Sequence, residues 1–208
     1  MVRNIKISDF SVLENYHCRE SYKLIIKYDL LANVSKEEVK IFRRRFIDVI
    51  LATDMSNHIK HINNLTFKAD NLDIKNGENA SLMITDDLKK NYDNQQNILD
   101  LIIHSADISN PTKPFVIYSK MVDLLFEEFF IQGDLERKNS LPLTYLCDRT
   151  TTDIDAAQVG FIKYLVKPTF NLLTRFTNNL SLLMENMDLN LAIYEGKVNE
   201  KKNLTSKS

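Results

Sequence analysis

Glycine and proline are scarce in this chain, at four each among 208 residues, and tryptophan is absent. Average usage at this length would give roughly fourteen glycines and ten prolines. So little glycine argues against Gly-rich phosphate loops and against architectures built on tight β-hairpins. Neither G-x-G-x-x-G nor G-x-x-x-x-G-K-[ST] occurs, which removes the dinucleotide and P-loop fingerprints. Cysteine is limited to Cys18 and Cys147, too few for a metal cage or a disulfide framework. That pair points to a reducing compartment, and the expected location is cytoplasmic. No apolar run approaches the roughly twenty residues that cross a bilayer. Met1 to Asp9 holds no continuous apolar stretch of the secretory kind. Neither sign of charge dominates, with 27 Lys and Arg against 28 Asp and Glu. The balance supplies no general argument for nucleic acid or an anionic membrane as partner.

What is present is helical periodicity. At 44% hydrophobic residues the chain can bury a core, and its length suits one or two domains. Val39, Phe42, Phe46, Val49 and Ile50 fall on one stripe behind Ser35 and Glu38 at capping-box spacing, predicting a helix from about Lys36 to Leu51. An earlier helix is expected over Val12 to Leu30. Thr53-Asp54 offers a cap for a short helix to about Asn64, and residues 67–84 read as a surface loop. Thr85-Asp86-Asp87 can open a helix reaching Ala106, which Asn110-Pro111 breaks. Pro114 suits the first turn of another, expected to stop at Gly133. After a loop, Thr152 is placed to cap a helix through Gln158 and Phe161. A last helical region follows Pro168 and fades after about Met187. The pattern reads as all-α without sustained heptads. Residues 1–200 are expected to form part of a single domain, with 201–208 a polar, disordered tail.

Several side chains could carry chemistry, each with a plainer reading beside it. Asp107 closes a strongly apolar helix. A carboxylate there serves as a cap, a salt-bridge partner, a metal ligand or a catalytic acid. His104, one turn earlier, could by spacing touch the same metal, but reads as packed or as a support behind a ligand. His58 and His61 form H-x-x-H, but Asn57, Lys60, Asn63 and Asn64 around them favour a solvated face over zinc. Tyr118, Leu125 and Phe129 make one stripe, and Gln158 and Phe161 share a face. Spacing alone gives those five an ordinary core role. Arg43-Arg44-Arg45 reads as a solvated run. Phe126 to Ile131 reads as a helix end buried on two sides.

Five stretches together carry a resemblance. They are Ser11-Val-Leu-Glu-Asn15, Ile50-Leu-Ala-Thr-Asp-Met55, His104-Ser-Ala-Asp-Ile-Ser-Asn-Pro-Thr-Lys-Pro114, Glu127-Glu-Phe-Phe-Ile-Gln-Gly-Asp134 and Gln158-Val-Gly-Phe-Ile162. In this order and spacing, from about residue 9 to residue 185, the chain resembles the catalytic domain of class I 3′,5′-cyclic nucleotide phosphodiesterases, nearest the cAMP-type members. The resemblance implies a multi-helix domain of the HD type and hydrolysis of a cyclic nucleotide to a 5′-nucleotide. The intact domain would use Zn2+ with Mg2+ or Mn2+.

Residue by residue, the resemblance implies that Asp107 is a metal ligand. Glu14 would bond a metal-bound water. Gln158 would read the purine edge, with Phe161 and Leu125 on either side of the base. Phe129 would line the same pocket, Asn110 would contact adenine, and Tyr118 would hold the glutamine amide. Thr53 and Met55 match positions near the metal and ribose end. Tyr118 with Asn110 favours cAMP over cGMP. The family's H-N-x-x-H and H-D-x-x-H segments, upstream of its Val-Leu-Glu-Asn stretch, have no counterpart here. The chain is therefore expected to be the C-terminal part of such a domain, with its N-terminal helices missing and little turnover of its own. A homodimer contact or regulatory domains would lie upstream. The rival expectation is a catalytically inactive helical module that binds a nucleotide or a partner.

Overall fold

In the computed structural model, residues 10–71 and 91–205 are described. Every regular element among them is helical: α1 Val12–Lys27, α2 Lys36–Leu51, α3 His58–Asn71, α4 Tyr92–Asp107, α5 Phe115–Lys138, α6 Ile154–Phe161, α7 Lys167–Leu173 and α8 Ser181–Thr205. Two compact units result. The first draws on Met1–Asp107 and Leu172–Asn178, the second on Ile108–Asn171 and Asn179–Ser208.

In the first unit the capping box forms as its spacing demands: Ser35 accepts from the Glu38 N–H while Glu38 accepts from the Ser35 N–H. Tyr22 of α1 meets Phe46 of α2 at 6.2 Å, and Phe42 stacks on Phe46 at 5.6 Å. The arginine run is only partly solvated. Arg45 donates to Gln95 at 2.6 Å and lies 4.2 Å over the Tyr92 ring, tying α2 to α4. Asp54 caps a single 3-10 turn, Met55–Asn57, before α3 begins. That helix runs to Asn71, beyond the expected end at Asn64. Its buried positions His58, Ile62, Leu65 and Ala69 continue one helical stripe, while Asn63 and Asn64 face solvent and break nothing. The loop expected over 67–84 is thus helix to Asn71, and residues 72–84 lie outside the described residues. So does Thr85-Asp86-Asp87. At the start of α4, Asn91 instead accepts from the N–H groups of Asp93 and Asn94.

In the second unit α5 buries Tyr118, Val122, Phe126 and Gly133. The helix does not stop at Gly133 but continues to Lys138. Glycine is required there because the Cys147 carbonyl occupies the space that a Cβ would need. Ile131 is half exposed, so the helix end from Phe126 is not buried on two sides. The following loop is pinned by Glu136, which accepts from the backbone and hydroxyl of Thr144, and by ion pairs Arg137–Asp148 and Arg149–Asp134. Asp153, not Thr152, caps α6. The last helical region, expected after Pro168, is instead entered through a widened π turn, Ile162–Val166, that leads into α7, and it resumes as α8 at Ser181. Pro168 has no N–H to give the preceding turn and its ring crowds that carbonyl, and the wider turn relieves both. Helix α8 extends far past Met187. Residues 201–205 are helical, and Lys201 pairs with Asp153 at 2.8 Å and Asp155 at 2.6 Å. The expected tail is therefore ordered to Thr205; 206–208 lie outside the described residues.

Candidate functional site

The second unit brings Tyr118 and Gln158 together. The tyrosine hydroxyl donates to Gln158 Oε1 at 2.5 Å, although forty residues separate them, and both side chains are buried. Burial raises the titration of Tyr118, so the phenol keeps its proton as a donor. The amide retains a second lone pair on Oε1 and two N–H donors for other partners. Asn110 sits in a 3-10 turn, Asn110–Thr112, and its Oδ1 accepts from Lys113 Nζ at 3.0 Å. Asn190 of α8 fastens that turn by donating to the carbonyls of Pro111 and Lys113, at 2.8 and 2.7 Å.

The apolar residues named with them do not share one environment. Tyr118 lies in the core, Phe129 is half-buried against Phe126 at 5.6 Å, and Leu125 is 41% exposed. The stripe predicted for these three is therefore split between core and surface. Phe161 is half-buried at the end of α6. With Tyr145, Tyr164 and Leu165 it lines a cavity of about 860 Å3, which neither Gln158 nor Leu125 borders.

In the first unit Asp107 is the last residue of α4 and is exposed, and Glu14 is half-buried in the first turn of α1. Thr53 donates its hydroxyl to the Ile50 carbonyl, and Met55 is exposed in the adjoining turn. The H-x-x-H pair is not a solvated face. His58 is buried and its Nδ1 lies 2.7 Å from His104 Nε2, while His61 is half-buried with its ring edge-on to His104. The signal was available: His58 and His61 sit beside the stripe Ile62, Leu65, Ala69. His104 is packed, as expected. Desolvation pushes all three imidazoles below their ordinary range, so they are held neutral. Among the described residues no group of three His, Cys, Asp or Glu side chains converges to hold a metal ion. The donors present do not fit a two-cation centre.

Sequence reasoning did not reach the C-terminal face of α8. Tyr194 there packs edge-on to Tyr118 at 5.7 Å, and Lys197 lies 4.8 Å over the Tyr194 ring. The signal was weak, because α8 is not strongly amphipathic and polar residues crowd its end.

The 3′5′-cyclic nucleotide phosphodiesterase family profile matches residues 3–187. The chain is similar to a Drosophila melanogaster 3′,5′-cyclic-AMP phosphodiesterase, isoform F, at 37% identity over 163 residues, 77% of this chain and 24% of that protein. Isoforms N/G match at the same identity over 16% of their length. The chain thus spans a quarter or less of these relatives. The phosphodiesterase domain of the RhoPDE fusion protein from the choanoflagellate Salpingoeca rosetta superposes with a TM-score of 0.79 at 27% identity, covering 94% of this chain and 59% of that one. LmjPDEB1, solved in complex with IBMX, superposes at 0.76 and 23% identity over 91% and 54%, and shares the fold.

Proposed function

From the premise that this chain belongs to the 3′5′-cyclic nucleotide phosphodiesterase family, we propose that the full-length protein hydrolyses a 3′,5′-cyclic nucleotide, cAMP in preference to cGMP, to the 5′-nucleotide. This chain supplies the base-reading part. The observation that carries the reading is the hydrogen bond from Tyr118 to Gln158. Adenine and guanine differ at position 6 by exchanging a donor for an acceptor, so an amide with its oxygen and nitrogen fixed in place separates them. Tyr118 fixes the oxygen. Asn110, its own oxygen engaged by Lys113, keeps its N–H donors for a ring nitrogen. In this reading Phe161 and Leu125 would flank the base and Phe129 would line its pocket.

The described residues do not by themselves gather ligands for two cations. In this reading Asp107 would give the cations one carboxylate and Glu14 would hydrogen-bond water beside them, with the remaining ligands supplied from outside the described residues. Regulatory domains or a homodimer contact belong to the full-length protein as well, and its compartment is the cytoplasm. The donor set also favours a second reading, a helical module that binds the nucleotide without turnover. Assays of the full-length protein with cAMP and cGMP, supplemented with Zn2+ and Mg2+, separate the two. Efficient hydrolysis with a lower KM for cAMP supports the first. Equal efficiency on both nucleotides overturns the base preference. Saturable binding without product supports the second.

A further inference from the structure

A hydroxyl can serve either orientation of an amide, donating to Oε1 or accepting from Nε2. Tyr118 therefore holds Gln158 in one orientation only if its own ring cannot swing. Its core neighbour on α8 is Tyr194, edge-on at 5.7 Å with the rings 78° apart, and itself 2% exposed. Tyr194 also meets Phe115, the first residue of α5, at 5.9 Å. Above these rings Lys197 spans both, 4.8 Å from Tyr194 and 5.2 Å from Phe115. The same ammonium lies 3.8 Å from Asp155, which is one turn before Gln158 on α6. Lys201 completes the face by pairing with Asp153 and Asp155. Positions 194, 197 and 201 share one side of α8. That side grips the start of α5 and the start of α6, the two helices that carry the tyrosine and the glutamine. The face lies beyond residue 187, where the family match ends.

We propose that Tyr194 is a positioning residue for base discrimination: clamped by Lys197, its ring fixes the Tyr118 ring, and through it the orientation of the Gln158 amide. The proposal rests on Gln158 as the base reader. Burial, then Asp155 and Asp123, push the Tyr194 phenol up to about 12, so it stays neutral and acts by shape and ring contact. A Tyr118 side chain freed to move ~30° from its rotamer carries its hydroxyl out of hydrogen-bond range, and the amide then turns over freely.

The test uses the full-length protein with Tyr194→Leu, Tyr194→Phe, Lys197→Met and Gln158→Ala. Two readouts are taken: the ratio of KM for cAMP to KM for cGMP, and the side-chain amide NMR signal of Gln158 without ligand, which needs no turnover. Tyr194→Leu should cut the nucleotide preference at least five-fold with kcat within two-fold, and should broaden or shift the Gln158 amide pair. Tyr194→Phe, which keeps the ring, should restore both. Lys197 is half-exposed, so Lys197→Met empties no core space and covers the case in which Tyr194→Leu fails to fold; it should move both readouts the same way, by less. An unchanged Gln158 signal in both Tyr194→Leu and Lys197→Met overturns the proposal. So does an unchanged KM ratio in both when Gln158→Ala abolishes discrimination. If Gln158→Ala leaves discrimination intact, the base-reading role fails instead, and the amide signal still decides whether Tyr194 positions Gln158.

Discussion

At the scale of single residues, two buried pairs set the behaviour of the two units. Tyr118→Phe removes the donor and leaves the Gln158 carbonyl oxygen in a buried site without its partner. The expected cost is about 1–3 kcal/mol, read as a lower midpoint in urea with an unchanged slope. The second pair is His58 with His104. Their imidazoles, and that of His61, titrate below the ordinary 6.5 because burial disfavours the charged form. The unfolded chain therefore takes up protons first as pH falls. Stability should be level above about pH 7, decline as pH drops through the unfolded value near 6.5, and flatten below the lowered folded values. Melting temperatures from pH 8 to pH 5 test the sign. A rise in stability over that window would show that the histidines gain charge on folding.

At the scale of elements, caps and periodicity explain most helices, and the departures have identifiable causes. The α2 capping box was readable because its partners are three residues apart. The continuation of α5 through Gly133 was not readable, since the reason is a carbonyl from residue 147 pressed against the helix. Likewise α8 runs past Met187 because Asn190 and Tyr194 are buried against other segments of its unit, not because its own pattern is strongly apolar on one side. A chain ending at Met187 keeps the whole of the family match but loses those anchors. It should lose the cooperative unfolding transition of the second unit, whereas removal of residues 206–208 alone should leave it in place. Calorimetry of the two truncations decides the point.

At the scale of the whole molecule, α5 carries a second apolar stripe. Ile117, Met121, Leu124, Ile131 and Leu135 recur at helical spacing, all at least 43% exposed, on the side away from Tyr118, Val122 and Phe126. Val12, Leu13 and Tyr16 of α1 are exposed as well. Apolar surface of that extent associates in water. The 208-residue chain alone should therefore sediment as more than a monomer at micromolar concentration, and a clean monomer under those conditions would contradict the expectation.

Helical class, the capping box of α2, the packed state of His104 and the family's five stretches could be read directly, because helix propensity, caps and short motifs are local in the chain. The need for glycine at position 133, the length of α8 and the rings packed behind Tyr118 could not. Each depends on atoms brought near by folding from tens of residues away, and local spacing carries no record of which distant surface a side chain will meet.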